Sequence, residues 1–263
     1  MSQPHSPPPP TSTEEVGAAM AAPAFSPLYR QIKGLLLQRL QAGQWRPGES
    51  IPSEMELSQQ LRVSQGTVRK AIDELAAENL LVRKQGKGTF VATHSERHVR
   101  YRFLRLRPDT GDLDDEGQAQ RTILYCRRER ASAELAGTLG LRAGESVVHM
   151  RRTLSMQGTP TVLEDIWLPG HTFKAITAEL VTEYAGPTYA LLEKEFGVHM
   201  VRAVEKIKAV AAPNAEAAQL LQVPPSTPLL QVERVAYTYN DVPMELRRGL
   251  YRTDTHHYLN ELN

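Results

Sequence analysis

Two helical stretches separated by only three residues constrain this chain more than any other feature. The first, "SEMELSQQL", opens with Ser53 and carries Glu56 three residues on, the pattern of a capping box, and its Leu57 and Leu61 have helical spacing. After "RVS" the second begins, with Ser64 as N-cap and Val68, Ala71, Ile72, Leu75 and Ala76 on one face. So short a turn forces the two helices to cross tightly, with Val63 plugging inward. Upstream, Leu28, Ile32, Leu35, Leu36, Arg39 and Leu40 predict a further helix ending before Gly43, and "WRPGESIPSE" reads as a connecting turn. Downstream, Leu81 and Val82 enter a strand, Phe90 and Val91 leave one, and "QGKG" between them is a hairpin tip. A hairpin that carries Arg83, Lys84 and Lys87 directly after a helix-turn-helix is a wing.

The second of the closely spaced helices works against itself at its start. Gly66 in the first turn costs roughly 1 kcal/mol relative to alanine, and Arg69 and Lys70 place cations where the helix dipole disfavours them. DNA resolves the conflict. A slim, basic N-terminal turn enters the major groove, with Gly66 permitting close approach. Ser64, Gln65 and Thr67 offer hydrogen bonds to phosphates and base edges. Taken alone, a mildly basic amphipathic helix is usually a solvated surface, and "GKGT" lacks the spacing of a phosphate-binding loop. The conjunction of helices, capping box, tight turn and basic wing carries the DNA reading.

Charge divides the same way. Residues 26–94 hold ten basic and six acidic residues, and residues 95–107 hold five arginines against Glu96. Residues 108–263 hold sixteen basic and twenty-one acidic residues. One region therefore suits a polyanion and the other something else. The single cysteine, Cys126, permits no intrachain disulfide and fits a reducing, cytoplasmic compartment. No apolar run approaches the roughly 20 residues of a membrane span, and no signal-peptide pattern opens the chain.

Four segments are expected: a disordered leader over 1–25, a DNA-binding domain over 26–92, a linker over 93–116 and a second domain over 117–260. The proline-rich leader is a passive tail or a polyproline ligand. Around residues 99–108, "VRYRFLRLRP" alternates Tyr101 and Phe103 with arginines, as a linker strand or as a second DNA-facing stripe. "DTGDLDDEGQ" after it reads as an exposed acidic loop. Beyond lies a weak repeat at an offset of 82 residues: "LGLRAGESVVHMRRTL" aligns with "LLQVPPSTPLLQVERVAY", matching Arg152 with Arg234. Each copy reads as a small-residue helix, a turn and two strands joined by a hairpin. Between them lie a helix closed by Gly197 and a further strand. The expectation is an α+β domain with a mostly antiparallel sheet and pseudo-twofold character.

Arg151 and Arg152 are adjacent on a strand, so only one faces inward. Arg152 either contacts a ligand or pairs with Glu164 on the next strand. Arg247 and Arg248 offer a second anion contact on the same terms. His149 and His171 either bond a ligand or are satisfied structural groups. His256 and His257 are poorly spaced for one metal, and no cluster has metal-site spacing. No cofactor is expected.

The stretch from "PLYRQI" to "GKGTFV" resembles the winged helix-turn-helix of GntR-family bacterial transcription regulators. The resemblance rests on "IPSE.ELS", "VS..TVR.A...L" and "G.GTFV" and implies DNA contacts at Ser53, Ser64, Gln65, Thr67, Arg69, Gln85, Gly86 and Lys87. Gly66 and Lys70 join these from the residue-level reading. The family often has arginine where Met55 and Gln65 stand; an arginine favours guanine, whereas Gln65 can pair with adenine. "RRTLSMQGTPTVLEDIWLP" and "VERVAYTYNDVPMELRRGLYRTDTHHY" resemble the UTRA effector-binding domain of the HutC subgroup, related in fold to chorismate lyase. That resemblance implies effector contacts at Arg152, Glu164, Glu245 and Tyr251. Leu154 stands where some sugar-phosphate-binding members have a further arginine.

The chain is thus expected to be a ligand-responsive regulator, of repressor type by kinship. It would bind a near-palindromic double-stranded operator as a homodimer, controlled by a small anionic metabolite such as a carboxylic acid or phosphorylated sugar. The competing readings are a lyase-like enzyme tethered to DNA and a DNA-binding protein without an effector. Against the enzyme stand the missing nucleophile elbow and the lack of an acid/base pair beyond Glu164 and Glu245.

Overall fold

The computed structural model describes residues 26–93, 105–110 and 119–260. The proline-rich leader, the stretch with Tyr101 and Phe103, and most of the acidic loop lie outside the described residues.

Helix α1 (Leu28–Gln41) buries Ile32, Leu36 and Leu40. Leu28 is exposed instead, and Leu37 packs against the core from the helix flank. Ser53 caps α2 (Glu54–Leu61) with both halves of the capping box formed. The turn that follows is as tight as the sequence implies. Arg62 adopts a left-handed conformation, φ 53°, and the Val63 N–H donates to the Ser58 carbonyl at 3.1 Å. Val63 accordingly packs against the core. Helix α3 (Gln65–Ala77) buries Val68, Ala71, Ile72 and Leu75 against α1 and α2, each large apolar side chain contributing roughly 1.5–3 kcal/mol. Strands β1 (Leu81–Lys84) and β2 (Gly88–Val91) form the hairpin, with Lys84 opposite Gly88. Gly86 and Gly88 both have positive φ, 68° and 109°, which lets three residues reverse the chain.

The second region is built on a six-stranded antiparallel sheet. Its strands are β4 (Gln120–Arg130), β5 (Ser146–Met156), β6 (Thr159–Pro169), β7 (Arg202–Ala211), β8 (Pro228–Tyr237) and β9 (Pro243–Tyr251), in the order β4-β5-β6-β9-β8-β7. Helix α4 (Ala133–Thr138) joins β4 to β5, and α7 (Ala215–Leu220) joins β7 to β8. Each half is therefore strand, helix, strand, strand, and the halves meet where β6 pairs with β9. This is the pseudo-twofold that the repeat implies. Between the halves lie α5 (Ala178–Glu183) and α6 (Thr188–Phe196), the latter closed by Gly197 at φ 65°. A two-stranded ribbon of β3 (Leu106–Pro108) and β10 (His256–Tyr258) completes the unit, so part of the expected linker is strand packed on the sheet.

The strand period of two sends alternate residues to opposite faces. Val147, Leu246, Leu163 and Leu229 pack against α4 and α7 on one face. On the other, Val148, Met150, Ile166 and Leu168 pack under α6, while Leu154, Val162, Val232 and Tyr251 pack with Leu106. Among the described residues no helix is long and apolar enough to cross a membrane.

Candidate functional site

At the first turn of α3 the sequence-predicted DNA residues stand together and exposed. The Ser64 hydroxyl accepts from the Thr67 N–H at 3.2 Å and lies 2.9 Å from Thr67 Oγ1. Gln65, Gly66 and Arg69 face solvent. A methyl group added at Gly66 would meet only Ser64 Oγ, at 3.9 Å, so nothing within the chain demands glycine there. The absence of bulk serves whatever approaches from outside.

The cations are arranged otherwise than the sequence implies. Arg69 Nε donates to Glu54 Oε2 at 2.9 Å, and Arg83 from the wing binds the other oxygen of Glu54 at 2.8 Å. Burial raises the Glu54 pKa, but Arg83 and Arg69 together hold it below the usual carboxylate range. One carboxylate at the start of α2 thus offsets the unfavourable cation of α3 and ties the wing to the recognition helix. Lys70 turns away from the first turn, its Nζ 4.1 Å from the centre of the Tyr29 ring on α1. At the hairpin tip Gln85, Gly86 and Lys87 are exposed, and Ser53 lies exposed at the cap of α2.

The four predicted effector residues also meet, in a polar band between the two apolar clusters of the inner sheet face. Arg152 Nε donates to Glu164 Oε2 at 2.8 Å, and its Nη1 donates to Thr188 Oγ1 at 2.6 Å. Tyr251 OH lies 3.4 Å from Glu164 Oε1. Arg247 completes the group: it donates to Glu164 Oε1 at 3.1 Å and grips both oxygens of Glu245 at 3.0 and 2.9 Å. Tyr189 OH donates to Glu245 Oε1 at 2.7 Å. Glu164 and Glu245 are wholly buried. Burial alone would raise the Glu164 pKa, but the guanidiniums of Arg247 and Arg152 bring it down to about 2. Burial, reinforced by Glu245, pushes the Tyr189 hydroxyl well up, so it stays a donor.

Register explains the assembly. Arg152 stands opposite Glu164 across β5 and β6, and Gly249 on β9 is the next position in the row. A methyl group at Gly249 would come within 2.4 Å of Tyr251 Cε2, so glycine is what lets the tyrosine ring fold back over the band. Arg151 points to the opposite face, 3.7 Å from Asp165, and Arg248 is half-exposed on Glu233, so each arginine pair splits as the strand period requires. His149 stacks on Trp167 with ring nitrogens 3.2 Å from Glu129 and 2.9 Å from Asp165, on the outer face and away from the band.

Sequence reasoning passed over three members of the band. Thr188 and Tyr189 come from α6, and no strand periodicity points to them. Arg121 comes from β4, a strand the sequence reading did not identify; its guanidinium donates to the Tyr184 carbonyl and lies 3.5 Å from Thr188 Oγ1. Arg234, aligned with Arg152 by the repeat, binds Glu205 at 2.6 Å. The same α6 that contributes Thr188 and Tyr189 carries Glu193 near its other end. Thr93, just beyond the wing, donates to Glu193 Oε1 at 2.5 Å, and Val201 and Tyr239 pack against the core of the first region.

These two sites have known counterparts. Residues 28–91 match the family described as bacterial regulatory proteins, gntR family, and residues 116–257 match the UTRA domain. The chain is 31% identical to the HTH-type transcriptional repressor PhnF of Mycolicibacterium smegmatis, over 90% of its own length and 92% of that protein's. It is 30% identical to the histidine utilization repressor of Pseudomonas putida, over 80% and 82% respectively. Its effector region is similar to a solved ligand-binding domain of a GntR-family regulator from Bordetella bronchiseptica. That match has 59% identity and a TM-score of 0.60, covering 63% of this chain and all of the other. The chain belongs to the GntR family of bacterial transcription regulators, in the HutC subgroup that joins a winged helix-turn-helix to a UTRA effector-binding domain.

Proposed function

We propose that this regulator is a repressor that binds a near-palindromic operator as a homodimer and is controlled by a small anionic metabolite held in the buried band of the UTRA domain. Ser53, Ser64, Gln65, Gly66, Thr67, Arg69, Lys70, Gln85, Gly86 and Lys87 are the DNA-contacting set, with Gln65 at a base edge and Arg69 at a phosphate. Lys70 in this reading leaves the Tyr29 ring for the backbone. Arg152, Glu164, Glu245 and Tyr251 form the effector-contacting set. The functional division is a leader over 1–25, a reader over 26–92, a linker over 93–116 and an effector domain over 117–260. The relatives from Mycolicibacterium smegmatis and Pseudomonas putida are repressors, which supports the sign.

The observation that carries the reading is the convergence of three arginines and two carboxylates in an otherwise apolar interior. Burying ions is costly, and an apolar core of the same shape would hold the sheet at least as well. Such a band makes sense where an anion has to be exchanged in. Coupling requires only that the effector bind the DNA-competent and DNA-incompetent arrangements with different affinity. Helix α6 spans the distance, with Thr188 and Tyr189 in the band and Glu193 on Thr93.

The test is fluorescence anisotropy at fixed salt, on duplex from upstream of the chain's own gene and on its scrambled counterpart, with carboxylic acids and sugar phosphates then titrated in. The expected result is a preference of roughly a thousandfold or more for the upstream duplex, lost on addition of one metabolite class. Equal binding to both duplexes, together with no metabolite effect, would reject the proposal.

A further inference from the structure

Arg121 is placed differently from the other arginines of the buried polar band. Among the described residues, the band carries the guanidiniums of Arg121, Arg152 and Arg247 and the carboxylates of Glu164 and Glu245, with the Arg234–Glu205 pair beside it. Arg128, further along β4 on the same face, is exposed and donates to the carbonyls of Phe173 and Lys174. Arg152 and Arg247 share Glu164, Arg247 also holds Glu245, and Arg234 holds Glu205. Arg121 bonds no carboxylate in this band. Its acceptors are neutral: one close carbonyl, that of Tyr184, and two oxygens at 3.5 Å, the Gly186 carbonyl and Thr188 Oγ1. A guanidinium has five N–H donors and binds carboxylate or phosphate in a fork. Arg121 spends that capacity on one good bond and two long contacts.

Its position is set by the sheet. Arg121 stands opposite Leu154 in the β4–β5 register, and Ile123 stands opposite Arg152, so both arginines leave the same face. They converge on one atom. Thr188 Oγ1 lies 2.6 Å from Arg152 Nη1 and 3.5 Å from Arg121 Nη1. A hydroxyl between two guanidiniums occupies the place an oxyanion oxygen would take. Half-burial and the neighbouring Arg152 both act to lower the Arg121 pKa, which is the electrostatic signature of a cation with a cation beside it. An incoming anion relieves both penalties.

We infer that Arg121, together with Arg152 and Thr188, is the clamp for the oxyanion of the effector, and that the segment 184–188 is the cover this anion displaces. The inference rests on the reading of the buried band as the effector pocket. It extends that reading by naming a residue on the edge strand and a ligand chemistry, a carboxylate or a phosphate monoester. Two carboxylates against three guanidiniums leave the band one positive charge in excess, the Arg234–Glu205 pair beside it being neutral, so a single anionic group restores neutrality. In the structure Arg121 ties down the segment that leads into α6. Exchange of those carbonyls for the effector's oxygens therefore frees the start of the same helix whose Glu193 holds Thr93.

The experiment uses the full chain and two simple probes, inorganic phosphate and acetate, each compared with sodium chloride at matched ionic strength. The thermal unfolding midpoint is followed for the wild type, Arg121→Gln and Arg152→Gln. In the wild type at least one oxyanion raises the midpoint where chloride does not, and which one does so distinguishes a phosphate from a carboxylate effector. Arg121→Gln, which keeps hydrogen bonding to the carbonyls but removes the charge, raises the half-saturating concentration at least tenfold. If Arg121→Gln saturates like the wild type while Arg152→Gln abolishes the response, the pocket reading stands and Arg121 is a loop tie only. If the wild type itself shows no oxyanion-specific rise, the pocket reading and the clamp fall together. A second readout needs no folded glutamine variant. The Arg121 Nε–H resonance, assigned by its loss in Arg121→Lys, moves during titration of the wild type with the half-saturation of the midpoint curve. A resonance that stays still overturns the clamp.

Discussion

Arg69 at the start of α3 is 59% exposed and shares one carboxylate with the wing, whereas Arg152 in the sheet is 4% exposed and its partner Glu164 wholly buried. Both are arginine–glutamate pairs with near-equal bond lengths, 2.9 and 2.8 Å. Their energetics differ because their surroundings do. An exposed pair is worth at most about 1 kcal/mol and is weakened by salt. Arg69 is therefore held loosely enough to exchange Glu54 for another anion, in the proposed function a DNA phosphate. Taking one partner from a buried pair strands the other at a cost of about 3–5 kcal/mol. The buried band can admit a ligand only by exchange, one anion for another or one oxygen for another. Under the proposed function the two regions put the same chemistry to opposite ends: a surface ready to bind at any time, and an interior that changes partner only for a ligand of the right charge.

The sharpest way to break this contrast is Glu164→Ala, which strands Arg152 and takes from Arg247 one of its two carboxylates. It is expected to lower stability by about 3–5 kcal/mol in chemical denaturation, against no more than about 2 kcal/mol for Glu54→Ala, whose two ion pairs are open to solvent on the arginine side. Equal losses from the two substitutions would erase the distinction. Acid provides the next test. The Glu164 pKa falls from 4.5 to about 2 on folding, so its stabilisation is complete above pH 4.5 and is lost as pH falls through that window. The change should amount to a few kcal/mol. Unfolding free energy measured between pH 6 and 2.5 should fall along this limb in the wild type and along a shallower one in Glu164→Gln. Matching limbs would mean that Glu164 is not the group responsible.

On the DNA side, Arg69→Ala should change stability by less than about 1 kcal/mol. It should weaken binding to all duplexes and reduce the salt slope by about one ion. An unchanged slope would place Arg69 off the phosphate backbone. The smallest effect expected is the most pointed. Gly66→Ala adds a methyl group that meets only Ser64 Oγ, at an ordinary contact distance of 3.9 Å, and improves helix propensity, so it should stabilise the fold by up to about 1 kcal/mol while weakening operator binding. A gain in stability with undiminished binding would show that Gly66 has no part in the approach to DNA.

How much of this was legible in the sequence follows from how local each interaction is. The capping box of Ser53 and Glu56, the N-cap of Ser64 and the apolar face of α3 are set by residues three or four apart, and all are in the structure as read. Glu54 is different. Its bonds to Arg69 and Arg83 span 15 and 29 residues, and nothing in local spacing announces them. The inward and outward members of Arg151/Arg152 and Arg247/Arg248 follow from strand alternation, but the partner of each depends on the β5–β6–β9 register. Edge strand β4 escaped notice because its residues are mostly half-buried or exposed, without a clean apolar period. Arg121 escaped with it. Thr188 and Tyr189 were hidden for another reason: a helix read only by its spacing and its closing Gly197 also presents two hydroxyls to the band. The pseudo-twofold was visible because both halves keep the same apolar spacing through a one-residue slip. Both halves carry the same register shift, at Leu154/Ser155 and Ala236/Tyr237, and the slip falls in the hairpin between there and Pro160 or Pro243.

The most direct test of the account is selection of bound sequences from a pool of randomised duplex DNA by the full chain at fixed salt. A dimer presenting two copies of α3 predicts enrichment of a near-palindrome whose half-site centres lie about 10–10.5 bp apart, or a multiple of this. Repeating the selection with Gln65→Ala should relax the consensus at one position in each half-site. A pool that remains unenriched, or enriches a single unpaired element that Gln65→Ala leaves unchanged, would contradict the assignment of α3 as the reader of a two-part operator.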